Sequence, residues 1–388
     1  MITVDEALTQ CLALCTALPV EAVDLRHAHG RMMPAPAMAL RDQPPFAASA
    51  MDGYAVAGDP VAGASFAIVA EAVAGRAFDG RLAAGQAARI FTGAPVPDGA
   101  TRVIIQEDVS RDGDVMTVRP GADSASHIRP AGQDFRRGDS LAPRRLAAND
   151  LALLAAMNIA QVQVTRRPVV ALIATGDELV MPGEVPGPSQ IIASNTFALA
   201  ALIEAEGGVA RILPIARDRR EALQAVLTLA LDADLIVTIG GASVGDHDLV
   251  AQVTAEMGVE RAFWRIAMRP GKPLMAGRLR GKPILGLPGN PVSAIVCGHL
   301  FVLPMLRAML ARPDAPPRPH SARLGADVGA NGPRAHYMRA RVVDGVITPF
   351  DRQDSALLSI LSSANALLIR PLGDGARRAG DAVNYLAL

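Results

Sequence analysis

Three short segments combine residue types that suit an anion. The first runs Thr238-Ile-Gly-Gly-Ala-Ser-Val-Gly-Asp-His-Asp248, after the apolar run Leu235–Ile239 and before a helical pattern. Gly240, Gly241 and Gly245, with Ser243 among them, let backbone amides approach a ligand. An anion held where a helix begins meets unpaired N–H groups and the positive end of the helix dipole. Gly241–Gly245 also matches GxSxG, the nucleophile elbow of serine hydrolases. Against an elbow, Asp246-His247-Asp248 separates Ser243 from the helix, and no HGGG-type oxyanion sequence lies upstream. An ordinary glycine-rich turn remains open as a third reading.

The second segment is Pro288-Gly-Asn-Pro291 followed by Ser293. Pro288 and Pro291 stiffen it, Gly289 permits close approach, Asn290 adds a polar side chain, and Pro291 suits a first helical turn. It reads equally as a rigid cap without a ligand. The third is Met268-Arg-Pro-Gly-Lys-Pro273, which holds Lys272, one of two lysines in the chain. Arg269 and Lys272 flank a Pro-Gly turn, so both heads can converge on one anion. A solvated surface turn is the plain alternative.

Asp52, Glu178, Asp218 and Asp248 are the acidic candidates. Carboxylates beside phosphate commonly share Mg2+, because a hard cation bridges the oxygens of both partners. Taken singly, each is a turn or cap residue. Thr92-Gly-Ala-Pro95 is by itself a turn. The seven histidines show no HxxxH spacing, His247 reads as a loop residue, and Cys11 and Cys15 read as core. Two nucleotide fingerprints are missing. No GxGxxG follows a strand, and Gly277–Lys282 is one residue short of GxxxxGK[ST] and runs into Pro283.

The elements that must position these residues fall into four parts. Thr3 to Glu6 reads as a capping box opening a helix with Val4, Leu8, Cys11, Leu12 and Cys15 at helical spacing. Residues 147–159 look helical again, and we group 1–40 with 135–167 as a helical, linking domain. Residues 41–134 carry short apolar runs and many glycines, the pattern of a small β-rich domain. There Val103–Gln106 and Val115–Val118 flank Asp112-Gly113, a hairpin signal. Residues 168–312 alternate strands (Val169–Ala174, Arg211–Ile215, Leu235–Ile239, Ile284–Leu287) with helices (Thr196–Glu206 capped by Asn195, Arg220–Leu231, Leu249–Met257, and one from Val292). That alternation predicts a parallel, doubly wound sheet with ligands at the strand carboxyl ends. Residues 313–388 open with a proline-rich linker. They continue as a β-barrel-like domain with a hairpin at Asp344-Gly345 and strands at Leu367–Arg370 and Val383–Leu386. The fold class is multidomain α/β plus β.

Composition narrows the function. The 388 residues carry 38 basic and 38 acidic side chains, so net charge is zero and nothing calls for nucleic acid or an anionic membrane. Aromatics are 3%, too few for base-stacking platforms. Three cysteines without CxxC fit a reducing cytoplasm. Pro291–Leu306 is the least polar stretch, but Ser293 and His299 mark it and it is short for a membrane span.

Taken together, and in order, several stretches resemble the MoeA-type molybdopterin molybdenumtransferases, a family that includes the C-terminal domain of gephyrin. They are Ser49-Ala-Met-Asp-Gly-Tyr-Ala-Val56, Ile90-Phe-Thr-Gly-Ala-Pro95, Ile105-Gln-Glu-Asp108, Arg129-Pro-Ala-Gly-Gln-Asp134 and Ala174-Thr-Gly-Asp-Glu-Leu179. Ser194-Asn195, Gly240–Gly245, Arg269-Pro-Gly-Lys-Pro273 and Leu287-Pro-Gly-Asn-Pro-Val-Ser293 complete the set. The resemblance covers about residues 45–300. It implies that 168–312 is the molybdopterin-binding domain and that the protein is a homodimer with the site at the subunit interface. It implies a reaction in which adenylylated molybdopterin and molybdate are substrates, Mg2+ is the cofactor, the adenylyl phosphoanhydride is cleaved, and AMP leaves.

By the same resemblance, Asp52, Thr92, Glu178, Asp218, Asp248, Arg269 and Lys272 are catalytic. Glu178, Asp218 and Asp248 would lie around the metal. Asp134, Gly240, Gly241, Ser243, Gly245, Pro288, Gly289, Asn290 and Ser293 would bind substrate. The molybdopterin-adenylating enzyme and molybdoenzyme chaperones are the implied partners. Arg269 stands where lysine is common in the family; the charge survives but the donor geometry differs. A pterin adenylyltransferase, which would resemble only the α/β domain, and a non-catalytic scaffold are the competing readings.

Overall fold

The short apolar runs between Gly53 and Val118 pair into one six-stranded sheet. Its order is Arg102–Ile105, Gly53–Val56, Gln86–Ile90, Ser65–Ala72, Val115–Val118, Val109–Asp112. Alternation along the strands sends Tyr54, Val56, Phe66 and Met116 to one apolar cluster, and Ala55, Ala88, Ile90 and Val103 to another. The hairpin at Asp112 forms, but its first strand is Val109–Asp112, with Val115 opposite Asp112. Val103–Gln106 does not supply that strand: Arg102–Ile105 pairs with Gly53–Val56 instead. The tight turn explains this. Gly113, at φ +56°, reverses the chain within two residues, so only the adjacent run can reach. This sheet and the helix Ala148–Ala156 belong to a compact unit of Ala22–His29 and Ala35–Gln163.

The second compact unit takes in Met1–Glu21, Gly30–Pro34 and Val164–Leu388. Our computed structural model describes residues 1–58, 60–240 and 249–388. The sheet order in this unit is Val209–Ile212, Val169–Ala174, Leu235–Ile239, Lys282–Leu287, Met275–Leu279, Val259–Trp264. The first four strands are parallel, and the last two add an antiparallel edge. Helices cover both faces, as the alternation requires. Val170 and Leu172 pack with Leu199 and Ile203 on one side, while Ala171 and Ile173 pack with Leu223 and Leu227 on the other. The strand expected at Arg211–Ile215 is Val209–Ile212. Pro214 has no N–H for a ladder, so the strand stops before it.

Two helix starts differ in kind. Thr3 caps Val4–Ala13 as expected: its Oγ1 accepts from the Glu6 amide, and the Glu6 carboxylate accepts from the Thr3 amide. Asn195 does not cap its helix. The helix is Asn195–Glu206 with Ser194 before it, and the Asn195 amide is used elsewhere. Gly207 ends that helix at φ +103°, the left-handed conformation glycine adopts without strain. Pro291–Met309 is long and apolar enough to cross a membrane, but 78% of its most apolar window is buried here, against the sheet.

The C-terminal strands close into a barrel. His320–Leu324, Ala335–Val343, Val346–Pro349, Ala366–Arg370 and Ala382–Ala387 form a ring, because Ala335–Val343 pairs on both of its edges. The expected hairpin is present: Asp344 and Gly345, at φ +48° and +77°, join Val343 directly to its partner Val346.

Gly53 is the tightest backbone approach in the first sheet. A Cβ there would stand 1.9 Å from the Ile104 carbonyl oxygen. Gly53→Ala is therefore expected to cost about 3 kcal/mol or more and lower the unfolding midpoint by roughly 6 °C or more. A thermal melt of the full chain checks this, with Gly332→Ala as control, where a Cβ meets nothing within 4 Å and φ is not left-handed.

Candidate functional site

Three parallel strands end together in the larger unit, and three turns meet there. Thr175 donates its amide to the Ile239 carbonyl (3.0 Å), and Gly240 donates to that of Leu287 (3.0 Å). Gly240 has φ +96°, and a Cβ on it would come within 2.8 Å of the Thr175 carbonyl oxygen. A Cβ on Gly289 would be 3.5 Å from the Gly240 Cα. The turns can touch because neither residue has a side chain. Asn195 Nδ2 donates to the Gly289 carbonyl (2.7 Å), locking the Pro288–Pro291 turn to the first turn of a helix.

A cavity of about 480 Å³ opens over these turns. Thr175, Glu178, Asn195, Gly240, Gly289 and Asn290 are among its lining residues. Glu178 folds back over its own turn: at Gly176 a Cβ would meet the Glu178 carboxylate at 2.2 Å. Asp218 is not in that lining. It exchanges hydrogen bonds with Asp177, each carboxylate accepting the other's amide, at 3.4 and 3.2 Å. Asp218 thus braces the loop that carries Glu178. Gly241, Ser243, Gly245 and Asp248 lie outside the described residues.

A second cavity, of about 410 Å³, adjoins the first and shares Pro273, Pro288 and Asn290 with it. From the α/β side come Arg269, Lys272 and Ser293; from the barrel come Arg334, His336 and Ser355. The edge strand Met268–Arg269 runs beside Ala335–His336, so the barrel is stitched to the Arg269 turn by backbone pairing. Ser355 Oγ meets Asn290 Nδ2 at 3.0 Å, and the Ser355 carbonyl accepts from the Val292 amide at 3.0 Å. Behind the cavity, Arg339 is fully buried. Its Nη2 donates to the Asp354 carbonyl (2.9 Å), while Nε and Nη1 have no partner. His336 is pushed down to about 3, first by burial and then by Arg269, Arg339, Arg370 and Arg334, and is therefore uncharged at neutral pH. Gln353 and Asp354 also line it; three cationic residues outnumber that one acidic residue and, with two hydroxyls and a neutral imidazole, suit a compact oxyanion.

The smaller unit holds the other acidic candidate. Asp52 Oδ1 accepts from both the amide and the hydroxyl of Thr92, each at 2.7 Å. Those two donors, with a smaller contribution from Arg89, hold the Asp52 carboxyl below its usual range. Arg89 is itself fixed. It donates to the Gly53 carbonyl (3.1 Å) and the Gln106 side chain (2.7 Å), and lies over the rings of Tyr54 and Phe91. Asp134 lines a separate cavity of about 560 Å³ with Arg129, Gln133 and Gly93, the neighbour of Thr92.

Spacing brought Glu178, Gly240, Arg269, Lys272 and the Pro288–Ser293 segment into view, and the two adjoining cavities contain them. Arg334, His336 and Ser355 were not foreseen. They follow the α/β segments by tens of residues and belong to strand and loop stretches with no motif, so only barrel closure brings them in. Asn195 carried a signal, its place in Ser194-Asn195, but was assigned to a cap. Among the described residues no group of three His, Cys, Asp or Glu side chains is gathered as for a metal ion.

A parallel sheet whose strand-end turns open on one cavity, a barrel that completes a second, cation-lined cavity, and a separate β unit with a paired Asp and Thr define a multidomain α/β plus β protein. The family matches agree with it segment by segment. The MoeA N-terminal region (domains I and II) matches residues 2–158, a probable molybdopterin-binding domain matches 171–308, and the MoeA C-terminal region (domain IV) matches 321–388. A molybdopterin molybdenumtransferase of Nostoc sp. is 36% identical over 95% of this chain and 88% of its own. Molybdopterin molybdenumtransferase 2 of Mycobacterium tuberculosis is 36% identical over 90% of each chain. The crystal structure of a molybdopterin biosynthesis MoeA protein from Pyrococcus horikoshii is 30% identical, with TM-score 0.88 over 100% of this chain and 99% of that one. The chain belongs to the MoeA family, a family of transferases in molybdenum cofactor biosynthesis.

Thr92→Val keeps the shape and the backbone N–H but removes one of the two donors to Asp52. Because that donor lowers the Asp52 pKa, its loss is expected to raise it, leaving it still below an ordinary carboxylate. A carboxyl 13C NMR titration of aspartate-labelled protein checks this; an unmoved Asp52 midpoint contradicts it.

Proposed function

We propose that the chain is a molybdopterin molybdenumtransferase. It takes adenylylated molybdopterin and molybdate; the two dithiolene sulfurs replace two molybdate oxygens, which leave at the level of water, and one water equivalent is consumed in cleaving the adenylyl phosphoanhydride, which releases AMP. The observation that carries this reading is the pair of adjoining cavities. One presents backbone turns and Glu178 to a phosphate-bearing ligand, and the other presents Arg269, Lys272 and Arg334 to a tetrahedral oxyanion.

The Pro288–Pro291 turn and Gly240 receive the pterin phosphate on close-packed backbone, where a side chain would obstruct it. Asn195 holds that turn in place. Arg269, Lys272 and Arg334, with Ser293 and Ser355, hold molybdate beside the pterin. Asp52 stays ionised, because both Thr92 donors favour its charged form. Mg2+ suits the oxygen-only chemistry of Glu178 and Asp218, which approach the same turn, and Asp248 is the third expected ligand. When bound, the ion offsets phosphoanhydride charge. We place the enzyme in the cytoplasm, where its three free cysteines stay reduced. We read it as a homodimer with the site at the subunit interface, Asp52 coming from one subunit and Glu178 from the other.

Two measurements test this. Purified protein with adenylylated molybdopterin and Mg2+ is expected to release AMP when molybdate is added, at least about tenfold faster than Asp52→Ala or Glu178→Ala. Pterin binding without molybdate-dependent release would indicate a binding role on the same fold. Mixing the two inactive variants under subunit exchange is expected to restore part of the activity, since each mixed dimer rebuilds one intact site. No recovery in a demonstrated mixed dimer would remove the shared-site reading.

A further inference from the structure

His336 lines the second cavity, although neither the motifs nor the charge pattern calls for its residue type. It lies in the strand Ala335–Val343, directly beside Arg269 across the parallel pairing, and opposite Arg370 on its other side. It is 6% exposed and lines the cavity together with Arg269, Lys272 and Arg334. No described side chain or backbone group forms a hydrogen bond with its ring. A buried polar ring that keeps a face to a cavity and has no protein partner is costly unless a ligand or water supplies one.

We propose that His336 donates a ring N–H to the bound oxyanion, alongside the cations of Arg269, Lys272 and Arg334. The proposal rests on the reading of this cavity as the oxyanion site. Its chemistry follows from the charges that face the ring. Arg269 faces it from the edge strand Met268–Arg269, Arg334 from just before its own strand, Arg339 from within that strand, and Arg370 from the neighbouring strand. Two acidic groups lie nearby. Asp374 pairs with Arg370 and Arg377, and Asp354, which also lines the cavity, accepts the Ala356 amide at Oδ1. A protonated ring would add a further positive charge to this group of cations, of which Arg339 and Arg370 are buried, so the ring stays neutral, with one donor and one lone pair. His336 thus adds direction without adding charge. A fixed donor selects for oxygen placed where a tetrahedral anion puts it, while the arginines supply the attraction.

The test is isothermal titration of the full-length protein with sodium molybdate at pH 6.5 and 8.0, for the native chain, His336→Gln and His336→Leu. Glutamine keeps an N–H donor and is expected to bind within about threefold of the native chain. Leucine keeps bulk without a donor and is expected to bind about tenfold more weakly. Native affinity is expected to change less than about twofold between the two pH values, since the ring does not titrate there. Native-like binding by His336→Leu overturns the proposal, as does a tenfold gain for the native chain at the lower pH, which would reveal an imidazolium. A native chain that binds no molybdate would instead remove the oxyanion reading of the cavity itself. Selective 15N-histidine labelling gives a readout independent of the variants: molybdate is expected to shift the His336 ring nitrogens, and unchanged resonances at saturation count against the contact.

Discussion

The missing Cβ of Gly240 is the constraint on which the larger unit's site depends. With that atom present, the turn after the third parallel strand would press on the Thr175 carbonyl at 2.8 Å, and the turns could not close on one another. Without it, Thr175, Gly240 and Gly289 bring three strand ends to one point, each held by a backbone hydrogen bond or by the Asn195 amide. Backbone contact of this kind keeps side chains out of the space above the strand ends, while the Thr175 and Gly240 amides are spent on holding the turns together. A doubly wound sheet offers its ligand space where its parallel strands end.

The barrel applies the opposite device. It brings charge rather than exposed backbone, and it buries part of that charge. Arg339 has two nitrogens without partners and no exposure, a placement that costs free energy unless it serves a neighbouring site. Its remaining nitrogen holds the Asp354 carbonyl, and the next residue, Ser355, is tied to Asn290 and Val292. The buried guanidinium therefore fixes a loop on one side and raises positive potential around His336 on the other. Local order and cavity electrostatics have the same origin.

The smaller unit shows how little is needed to keep a carboxylate ionised at its surface. Asp52 is exposed, and the two short bonds from Thr92 outweigh the upward push of desolvation on its pKa. Gly53, next in sequence, lets the strand pass close to Ile104, and Arg89 holds the Gly53 carbonyl from the opposite side. Sheet packing and the acidic group are thus joined within two residues.

Periodicity made the helices, most strands and both Asp-Gly turns legible, because spacing of 2 and 3.6 residues and left-handed turn positions are local properties of the chain. The ordered motifs likewise placed Glu178, Arg269, Lys272 and the Pro288–Ser293 turn where cavities are found. Local signals failed where a choice had more than one partner. Val103–Gln106 looked like a hairpin arm, but a nearer run reached the turn first. Asn195 looked like a cap, but a carbonyl 94 residues away claimed its amide. Arg334, His336 and Ser355 had no signal at all. A strand's neighbours are decided by which edges are free when the barrel closes, and that competition is settled in three dimensions. The chain's residues determine which turns can bind an anion; the tertiary fold decides which distant side chains complete the cavity around it.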